Sequence, residues 1–219
     1  MVETADIPIL YSFRRCPFAM RARMALRSAG QRCELREVLL RDKPEQMMEA
    51  SKKGTVPVLV LPDARVLDES LDVMGWALAQ NDPNSLLPST QDRGESDRLL
   101  ALIDGEFKFH LDRYKYASRY EDCDAMEHRE VALQILRHLE TQLQGKNWLF
   151  GDHPCFADLA ILPFVRQYRI ADQFWFDNEM PLPTVRQWLH RFLVADFFTA
   201  VMEKRKPWQT GDQPSYFPA

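Results

Sequence analysis

The feature that most constrains this chain is a cysteine standing between a predicted strand and a predicted helix. The apolar run Ile7 to Phe13 is typical of a strand, and Pro17 opens an amphipathic helix directly after Cys16. Proline suits the first position of a helix, because its ring sets the backbone angle and its missing N–H would have no partner there. The sequence therefore predicts a strand–turn–helix unit with Cys16 at the turn.

The position of Cys16 also favours its reactive form. A thiol at a helix start faces unpaired backbone N–H groups and the positive end of the helix dipole, and both favour the thiolate. Arg14 and Arg15 add positive charge nearby. A free cysteine is more often a buried structural residue, but the combination of helix start, proline and arginines predicts a nucleophile.

A second motif, Val56-Pro57, lies at the start of a short apolar segment, predicted to be a strand, that runs to Leu61. The bond before a proline is the one peptide bond with a realistic chance of being cis. A cis bond would turn the N–H and C=O of Val56 outward, free to pair with an extended ligand. A trans bond would leave a proline that merely starts a strand, which is an accepted position for it. Both interpretations stay open here.

A third motif, Leu67-Asp68-Glu69-Ser70, opens a helix predicted to run from Leu71 to Gln80. Asp68 or Ser70 would serve as ordinary helix caps. A helix N-terminus carrying Ser70 is also suited to bind a ligand carboxylate.

Together these motifs resemble the thioredoxin-like domain of cytosolic glutathione transferases, most closely that of the omega class. The resemblance covers residues 7–88. The segments that carry it are Cys16-Pro17-Phe18-Ala19, Leu40-Arg41-Asp42-Lys43-Pro44, Val56-Pro57, Glu69-Ser70 and Leu86-Leu87-Pro88.

The resemblance implies a role for each motif in holding glutathione. Cys16 would be the catalytic residue and form a mixed disulfide with glutathione. Lys43 would meet the glycyl carboxylate, and Val56 would pair its backbone with the cysteinyl part. Glu69 and Ser70 would hold the γ-glutamyl amine and carboxylate. The expected glutathione-binding residues are Phe18, Lys43, Val56, Pro57, Glu69 and Ser70.

The same resemblance implies a second substrate pocket between the cysteine and the first long helix of a second domain. Its expected residues are Phe13, Phe107, His110, Leu111 and Tyr114. The helical spacing of Phe107, Leu111 and Tyr114 favours core packing for most of these apolar residues.

The predicted elements follow the order β-α-β-α-β-β-α, and from Asp92 onward only helical periodicity remains. The fold class is therefore α/β plus all-α. We expect a thioredoxin-like, glutathione-binding domain over residues 1–82, a linker over 83–91 and an all-helical domain over 92–219. The tail from Trp208 to Ala219 is expected to lie along the surface.

A helix beginning near Phe156 resembles the capped helix of the transferase C-terminal domain. Asp158 would bond back to the start of its own helix as the third residue after the cap. Cys155 stands at the cap position, where Ser or Thr is the family habit, so a weaker helix start is expected. Asp158 is therefore interpreted as structural rather than catalytic.

The chemistry follows from a missing thiol. A dithiol oxidoreductase resolves its mixed disulfide with a second cysteine three residues on, and Ala19 occupies that position. Another molecule, glutathione, must then reduce the mixed disulfide on Cys16. The sequence predicts a glutathione-dependent thiol transferase acting on small disulfides, dehydroascorbate or S-glutathionyl adducts. Conjugation of glutathione to electrophiles through the hydroxyl of Tyr11 or Ser12 is an alternative, and so is a non-enzymatic partner protein on the same fold.

Composition and charge limit which other classes of protein remain possible for this chain. A chain of 219 residues that is 46% hydrophobic can form packed cores, and a net charge of −4 argues against nucleic-acid binding. The histidines lack zinc-site spacing, so no metal is expected. There is no apolar run of bilayer length, and Glu3 and Asp6 do not fit a secretory signal. We expect a cytoplasmic protein with reduced thiols and, from the resemblance, a homodimer.

Overall fold

The chain divides into two compact units in the computed structural model, which describes Glu3 and residues 5–218. The first unit comprises the described residues up to Ser85 together with those from Ala195 onward, and the second runs from Leu86 to Val194. The sequence analysis placed all of 92–219 in one helical domain, whereas the structure groups the last part of the chain with the first unit.

The first unit is built on a five-stranded mixed sheet with the strand order β4-β3-β1-β2-β5. β1 is parallel to β2, and the other neighbours are antiparallel. Its strands are β1 (Ile9–Ser12), β2 (Cys33–Glu37), β3 (Val58–Val60), β4 (Val66–Leu67) and β5 (Tyr216–Phe217). Its helices are α1 (Pro17–Ser28), α2 (Glu45–Ala50), α3 (Ser70–Gln80) and α10 (Asp196–Thr199). The predicted thioredoxin-like order over the first four strands is confirmed.

The C-terminal tail adds the strand that the sequence analysis missed. β5 pairs antiparallel with β2, with Phe217 opposite Cys33, and the Trp208 N–H donates to the carbonyl of Glu37 at 2.8 Å. The expectation that the whole tail lies along the surface is therefore wrong for β5; Ala219 lies outside the described residues. A two-residue strand is too short to show a period-2 pattern. It forms because β2 would otherwise present unpaired backbone groups at the sheet edge.

The second unit is helical, as expected. Its helices are α4 (Arg93–Leu102), α5 (Lys108–Lys115), α6 (Ala125–Gln142), α7 (Phe156–Ala171), α8 (Gln173–Asn178) and α9 (Pro183–Val194). A π-helical turn, Ile103–Phe107, joins α4 to α5, so the first long helix expected in the second domain is interrupted by a wider turn. None of the helices among the described residues is long and apolar enough to cross a bilayer.

Asp158 organises the start of α7. Its Oδ2 accepts from the backbone N–H of Cys155 at 2.9 Å and from the Cys155 thiol at 3.0 Å. Its Oδ1 accepts from the Leu149 N–H at 3.0 Å and from the indole N–H of Trp188 at 2.8 Å. The predicted bond to the start of its own helix is confirmed. The carboxylate also ties α9 and the loop before α7 to that helix start, which the local sequence did not indicate.

We predict that Asp158→Ala lowers the free energy of unfolding by at least about 3 kcal/mol, because three N–H donors, two of them buried, would lose their acceptor. Urea unfolding followed by circular dichroism measures the change. Asp152→Ala, at an exposed position in the preceding loop, is the control and should unfold like the wild type. Equal midpoints for the two variants would contradict the structural role of Asp158.

Candidate active site

Cys16 lies at the N-terminal end of α1, with Pro17 as the first helical residue. The Cys16 N–H donates to the carbonyl of Phe13 at 3.0 Å, which closes a tight turn after β1, and the Cys16 carbonyl accepts from Met20 N–H at 2.9 Å. The sulfur is thus fixed at the helix start while its side chain stays only partly buried. The sequence prediction of the local geometry is confirmed.

The Val56-Pro57 motif meets Cys16 directly. The thiol lies 3.6 Å from the carbonyl oxygen of Val56 and donates to it. The Val56–Pro57 bond is cis, which decides between the two conformations left open by the sequence. Both residues are buried beside β3, and Cys16 packs against the apolar cluster that contains Val56. Two motifs 40 residues apart therefore form one surface around the sulfur.

The turn before Cys16 is held by Arg23, a residue that the sequence analysis had not placed in the site. This arginine is 2% exposed. Its guanidinium donates to the Ser12 hydroxyl, to the carbonyl of Phe13 at 3.3 Å, to that of Arg14 at 2.8 Å and to that of Val201 at 3.3 Å. The available signal was the presence of arginines at positions 21, 23 and 27 among the mainly apolar residues of α1.

The buried charge of Arg23 also affects the electrostatics around the cysteine. Burial lowers the pKa of Arg23 to about 10, while the negative charges of Glu37 and of the Cys16 sulfur act in the opposite direction. At neutral pH the guanidinium therefore stays charged. It adds a fixed positive charge to the helix N-terminus, and both favour the thiolate.

The start of α3 does not use side-chain capping. Glu69 occupies the cap position without a side-chain cap bond, and Ser70 is already the first helical residue. The interpretation of Asp68 or Ser70 as ordinary caps is therefore wrong. The Ser70 hydroxyl is buried and accepts from Nε of Arg21 at 2.9 Å, so a charged donor orients it. The guanidinium of Arg21 also lies 5.0 Å from the ring centroid of Phe18.

Asp68 faces the loop before β3 instead. Its carboxylate accepts from the Ser51 hydroxyl at 2.6 Å and from Nζ of Lys53 at 2.9 Å. The hydrogen bond from Ser51, followed by the bond from Lys53, lowers the pKa of Asp68 against the effect of burial. Lys53 also donates to Glu69 at 2.6 Å. The carboxylate of Glu69 is 65% exposed and remains accessible to a ligand.

Lys43 approaches the same loop from the other side. The side chain is exposed, and its Nζ lies 3.3 Å from the place where a Cβ on Gly54 would stand. Gly54 has φ +63°, so a larger residue there would meet both backbone strain and the lysine ammonium. The absence of a side chain at this position leaves room for Lys43 against the loop.

The segment Ser51–Pro57 thus contacts the other three motifs. It meets Asp68 and Glu69 through Ser51 and Lys53, Lys43 through Gly54, and Cys16 through Val56. Of the predicted site residues, this segment brings Cys16, Lys43 and Glu69 together with Val56 and Pro57, whereas Phe18 and Ser70 are connected through Arg21. The roles of these residues toward a ligand stay predictions. The sequence analysis did not assign Arg21, Arg23, Lys53 or Asp68 to the site.

The residues expected to line a second pocket belong mainly to the core of the helical unit. Phe107, Leu111 and Tyr114 are buried, and the rings of Phe107 and Tyr114 lie 5.8 and 5.4 Å from that of Tyr168. Burial raises the pKa of Tyr114. The core alternative is what the structure shows for these three. In the first unit Phe13 packs against the apolar cluster beside Cys16. A contribution of these residues to substrate binding stays a prediction.

His110, the remaining member of that set, is paired with a second histidine. Its Nδ1 on α5 lies 2.7 Å from Nδ1 of His128 on α6. Only one proton can lie between two nitrogens at this distance, so one ring must be a neutral acceptor. Burial, and next the positive charge of His128, lower the pKa of His110; Arg113 lowers it too, whereas Glu106 and Glu127 raise it.

Comparison with known proteins places these features in a family. Residues 10–85 match the family model of the glutathione S-transferase N-terminal domain, and residues 93–191 match that of the C-terminal domain. Glutathione S-transferase U22 of Arabidopsis thaliana is 31% identical over 83% of this chain and 83% of its own length. Glutathione S-transferase omega-1 of Rattus norvegicus is 40% identical over 72% of this chain and 66% of its own. The tau-class enzyme of mango, Mangifera indica, has the same fold, with a TM-score of 0.77 at 22% identity over 90% of this chain and 93% of that one.

The histidine pair predicts acid sensitivity of the helical unit. Since the pKa of His110 is lower in the folded chain than its ordinary value of 6.5, the unfolded chain binds more protons as the pH falls through that range. Stability is therefore full above the ordinary histidine pKa and is lost below it. We expect the urea midpoint to fall between pH 7.5 and 5.5, and His128→Gln to reduce this fall.

His138→Gln is the matched control, because His138 is an exposed histidine on the same helix. It should keep the pH dependence of the wild type. If His128→Gln shows the same acid-induced loss as the wild type, the pair is not its source.

Proposed function

Because the chain belongs to the glutathione S-transferase family, we propose that it is a glutathione-dependent thiol transferase whose nucleophile is Cys16. The observation that carries the proposal is the placement of the Cys16 sulfur at the start of α1, 3.6 Å from the carbonyl of Val56. A thiolate at this point is stabilised by the helix N-terminus and by the buried guanidinium of Arg23.

Glutathione is the proposed cosubstrate, and the polar groups around segment Ser51–Pro57 match its charges. Lys43 supplies a cation for the glycyl carboxylate. The backbone of Val56 pairs with the cysteinyl part beside Pro57. Glu69 accepts from the γ-glutamyl ammonium, and Ser70, oriented by Arg21, donates to the γ-glutamyl carboxylate. Phe18 completes the proposed binding surface.

The proposed reaction proceeds by two thiol–disulfide exchanges. The Cys16 thiolate attacks the glutathione sulfur of a mixed disulfide, a Cys16–glutathione bond forms, and the other sulfur leaves as a thiolate that takes a proton from water. The thiolate of a second glutathione then attacks the bound glutathione sulfur. Glutathione disulfide leaves, and the Cys16 thiolate is regenerated. For each mixed disulfide one free glutathione is consumed. Its sulfur and the glutathionyl sulfur of the substrate leave as glutathione disulfide, and the other sulfur of the substrate is released as a thiol.

Two of the three remaining cysteines, Cys33 and Cys155, support dependence on an external thiol. The residue three positions after Cys16 is Ala19, which is buried. Cys33 is also buried, which raises its pKa to about 12, and its thiol donates to the carbonyl of Phe217 at 3.3 Å. Burial, and next the carboxylate of Asp158, raise the pKa of Cys155. Such thiols are poor nucleophiles at neutral pH.

Conjugation of glutathione to electrophiles is a second candidate, favoured by the 31% identity to a relative named a glutathione S-transferase. The hydroxyls considered for it do not support it. Tyr11 is 1% exposed, and burial raises its pKa to about 12; its oxygen accepts from Arg36 at 2.8 Å. Ser12 is fully buried and accepts from Arg23. Conjugation would therefore have to use a glutathione thiolate stabilised beside Cys16.

The family resemblance also supports a cytoplasmic homodimer, and we include both features in the proposal. Sedimentation analysis of the purified chain tests the oligomeric state, and fractionation of the source cells tests the compartment.

Cys16→Ala should lower the rates at which hydroxyethyl disulfide and dehydroascorbate are reduced by at least about a hundredfold, because the mixed disulfide of the proposed reaction forms on the Cys16 sulfur. Conjugation of an aryl halide should persist or increase. Cys123→Ala, which removes another partly buried thiol, is the matched control and should keep both activities. Retained disulfide reduction in Cys16→Ala, with no Cys16–glutathione adduct by mass spectrometry of the wild type, would sink the proposal.

Ser70→Ala should raise KM for glutathione about tenfold, since a hydrogen bond to a charged group of the ligand is lost. The rate at which iodoacetamide alkylates Cys16 in the absence of glutathione should stay unchanged, because the Ser70 hydroxyl accepts its hydrogen bond from Arg21. Ser28→Ala, at the end of α1, serves as the control substitution. An unchanged KM would remove Ser70 from the binding surface and leave the role of Cys16 intact.

A further inference from the structure

The turn between β1 and α1 is surrounded by three arginines that have different surroundings. Arg23 is 2% exposed, and its guanidinium donates to four acceptors of the protein. Arg14 is partly buried; its backbone N–H donates to Glu37 at 2.8 Å, and its Nη1 donates to a backbone carbonyl at 3.3 Å. Arg15, directly before Cys16, is exposed. Of the three, Arg15 is therefore the most accessible to a molecule that approaches from solvent.

The side chain of Arg15 contacts an aromatic ring beside the cysteine. Its guanidinium lies over Phe13, 5.3 Å from the ring centroid. Phe13 packs on the apolar cluster against which Cys16 also packs. An arginine on the face of an aromatic ring is attracted by the ring electrons and keeps a restricted position. The contact therefore keeps the positive charge of Arg15 near the turn that carries the sulfur.

Positive charge is concentrated at this turn, although the whole chain carries a net charge of −4. Glu37 contributes a carboxylate there, and it accepts from the backbone N–H of Arg14. Burial raises the pKa of Glu37, whereas the Arg14 N–H and the nearby guanidinium groups lower it. This carboxylate therefore interacts with Arg14 and Arg23 on the inner side of the turn, and Arg15 lies on the exposed side. A local cationic surface raises the concentration of anionic substrates beside it.

We propose, as an extension that rests on the thiol transferase function proposed above, that Arg15 selects glutathione mixed disulfides whose leaving thiol carries a carboxylate near its sulfur. Glutathione occupies the segment Ser51–Pro57, and the other half of the disulfide lies against the turn with Phe13 and Arg15. Because a guanidinium has five N–H donors in a planar fork, it can pair with both carboxylate oxygens and keep its contacts with the protein.

Arg15 acts in the first of the two exchange steps. The Cys16 thiolate attacks the glutathionyl sulfur, the disulfide bond of the substrate breaks, and the leaving sulfur takes the electron pair and then a proton from water. One free glutathione then reduces the Cys16 adduct and leaves as glutathione disulfide. Arg15 binds the carboxylate of the leaving half, and its charge also stabilises the negative charge that develops on the leaving sulfur.

The test compares the full chain on two mixed disulfides of glutathione, one with 3-mercaptopropionate and one with its neutral amide, 3-mercaptopropionamide. The quantity compared is kcat/KM for the disulfide, because the regeneration step is the same for both. Each value is divided by the rate constant of the same disulfide with dithiothreitol, a neutral thiol, which corrects for leaving-group reactivity. We expect a preference for the carboxylate of at least about fivefold at low salt, and a smaller one in about 0.5 M sodium chloride.

Three substitutions test whether the charge of Arg15 is the cause. Arg15→Gln should bring the ratio of the two corrected values to within about twofold of one, Arg15→Glu should reverse the preference, and Arg15→Lys should keep part of it. The ratio is the readout because Arg15 also adds to the charge that favours the Cys16 thiolate, so its loss slows both substrates. Arg65→Gln is the matched control, since Arg65 is exposed in the turn after β3, at the end of that strand away from Pro57. It should keep the wild-type ratio.

The selection by Arg15 is overturned if the wild type reduces the two disulfides with equal corrected kcat/KM, or if Arg15→Gln keeps the wild-type preference. Either result would leave the thiol transferase function in place, because both disulfides are still reduced. If neither disulfide is reduced and no Cys16–glutathione adduct forms, the thiol transferase function fails, and the selection by Arg15 fails with it.

Discussion

The proposed active site depends on the guanidinium of Arg23, which is buried in the first unit. A buried charge costs several kcal/mol unless the protein supplies hydrogen-bond partners. Arg23 finds its partners in the Ser12 hydroxyl, the carbonyls of Phe13 and Arg14, and the carbonyl of Val201. These bonds hold the turn between β1 and α1 in one conformation. The side chain of Arg23 thus fixes the position of the Cys16 sulfur and also supplies the cation that favours the thiolate.

The same bonds explain why the end of the chain belongs to the first unit. Val201 lies far along the sequence from Arg23, yet it supplies one of the acceptors. Farther on, Trp208 and β5 complete backbone pairing along the edge of β2. The tail therefore satisfies polar groups of the thioredoxin-like unit on both the helix side and the sheet edge. The path of the tail is set by these hydrogen bonds rather than by the conformational preferences of its own residues.

The helical unit is organised by a different buried charge. Asp158 accepts hydrogen bonds from the start of its own helix, from the preceding loop and from α9. It therefore connects segments that the helical periodicity of the sequence indicates only as separate helices. Its location is the reason for interpreting it as structural, although a buried acid is often suspected of catalysis. At α8 and α9 the charges are arranged differently, because arginines outnumber the carboxylate around a cavity. The one unit therefore contains a buried carboxylate that accepts from several donors and a cavity lined by three arginines and one carboxylate.

The amino-acid sequence by itself determined the order of the first four strands, the helical character of the second unit and the position of Cys16 between a strand and a helix. The strand before Cys16, the proline after it and the helical periodicity beyond Asp92 depend on neighbours within a few residues, and such preferences act before any tertiary contact forms. Only the tertiary structure decided which charged side chains share the site. Arg21 reaches Ser70, Lys53 reaches Asp68 and Glu69, and β5 reaches β2 across long stretches of chain. No local pattern encodes these partners, because a buried polar group accepts whichever group the fold brings within hydrogen-bonding distance.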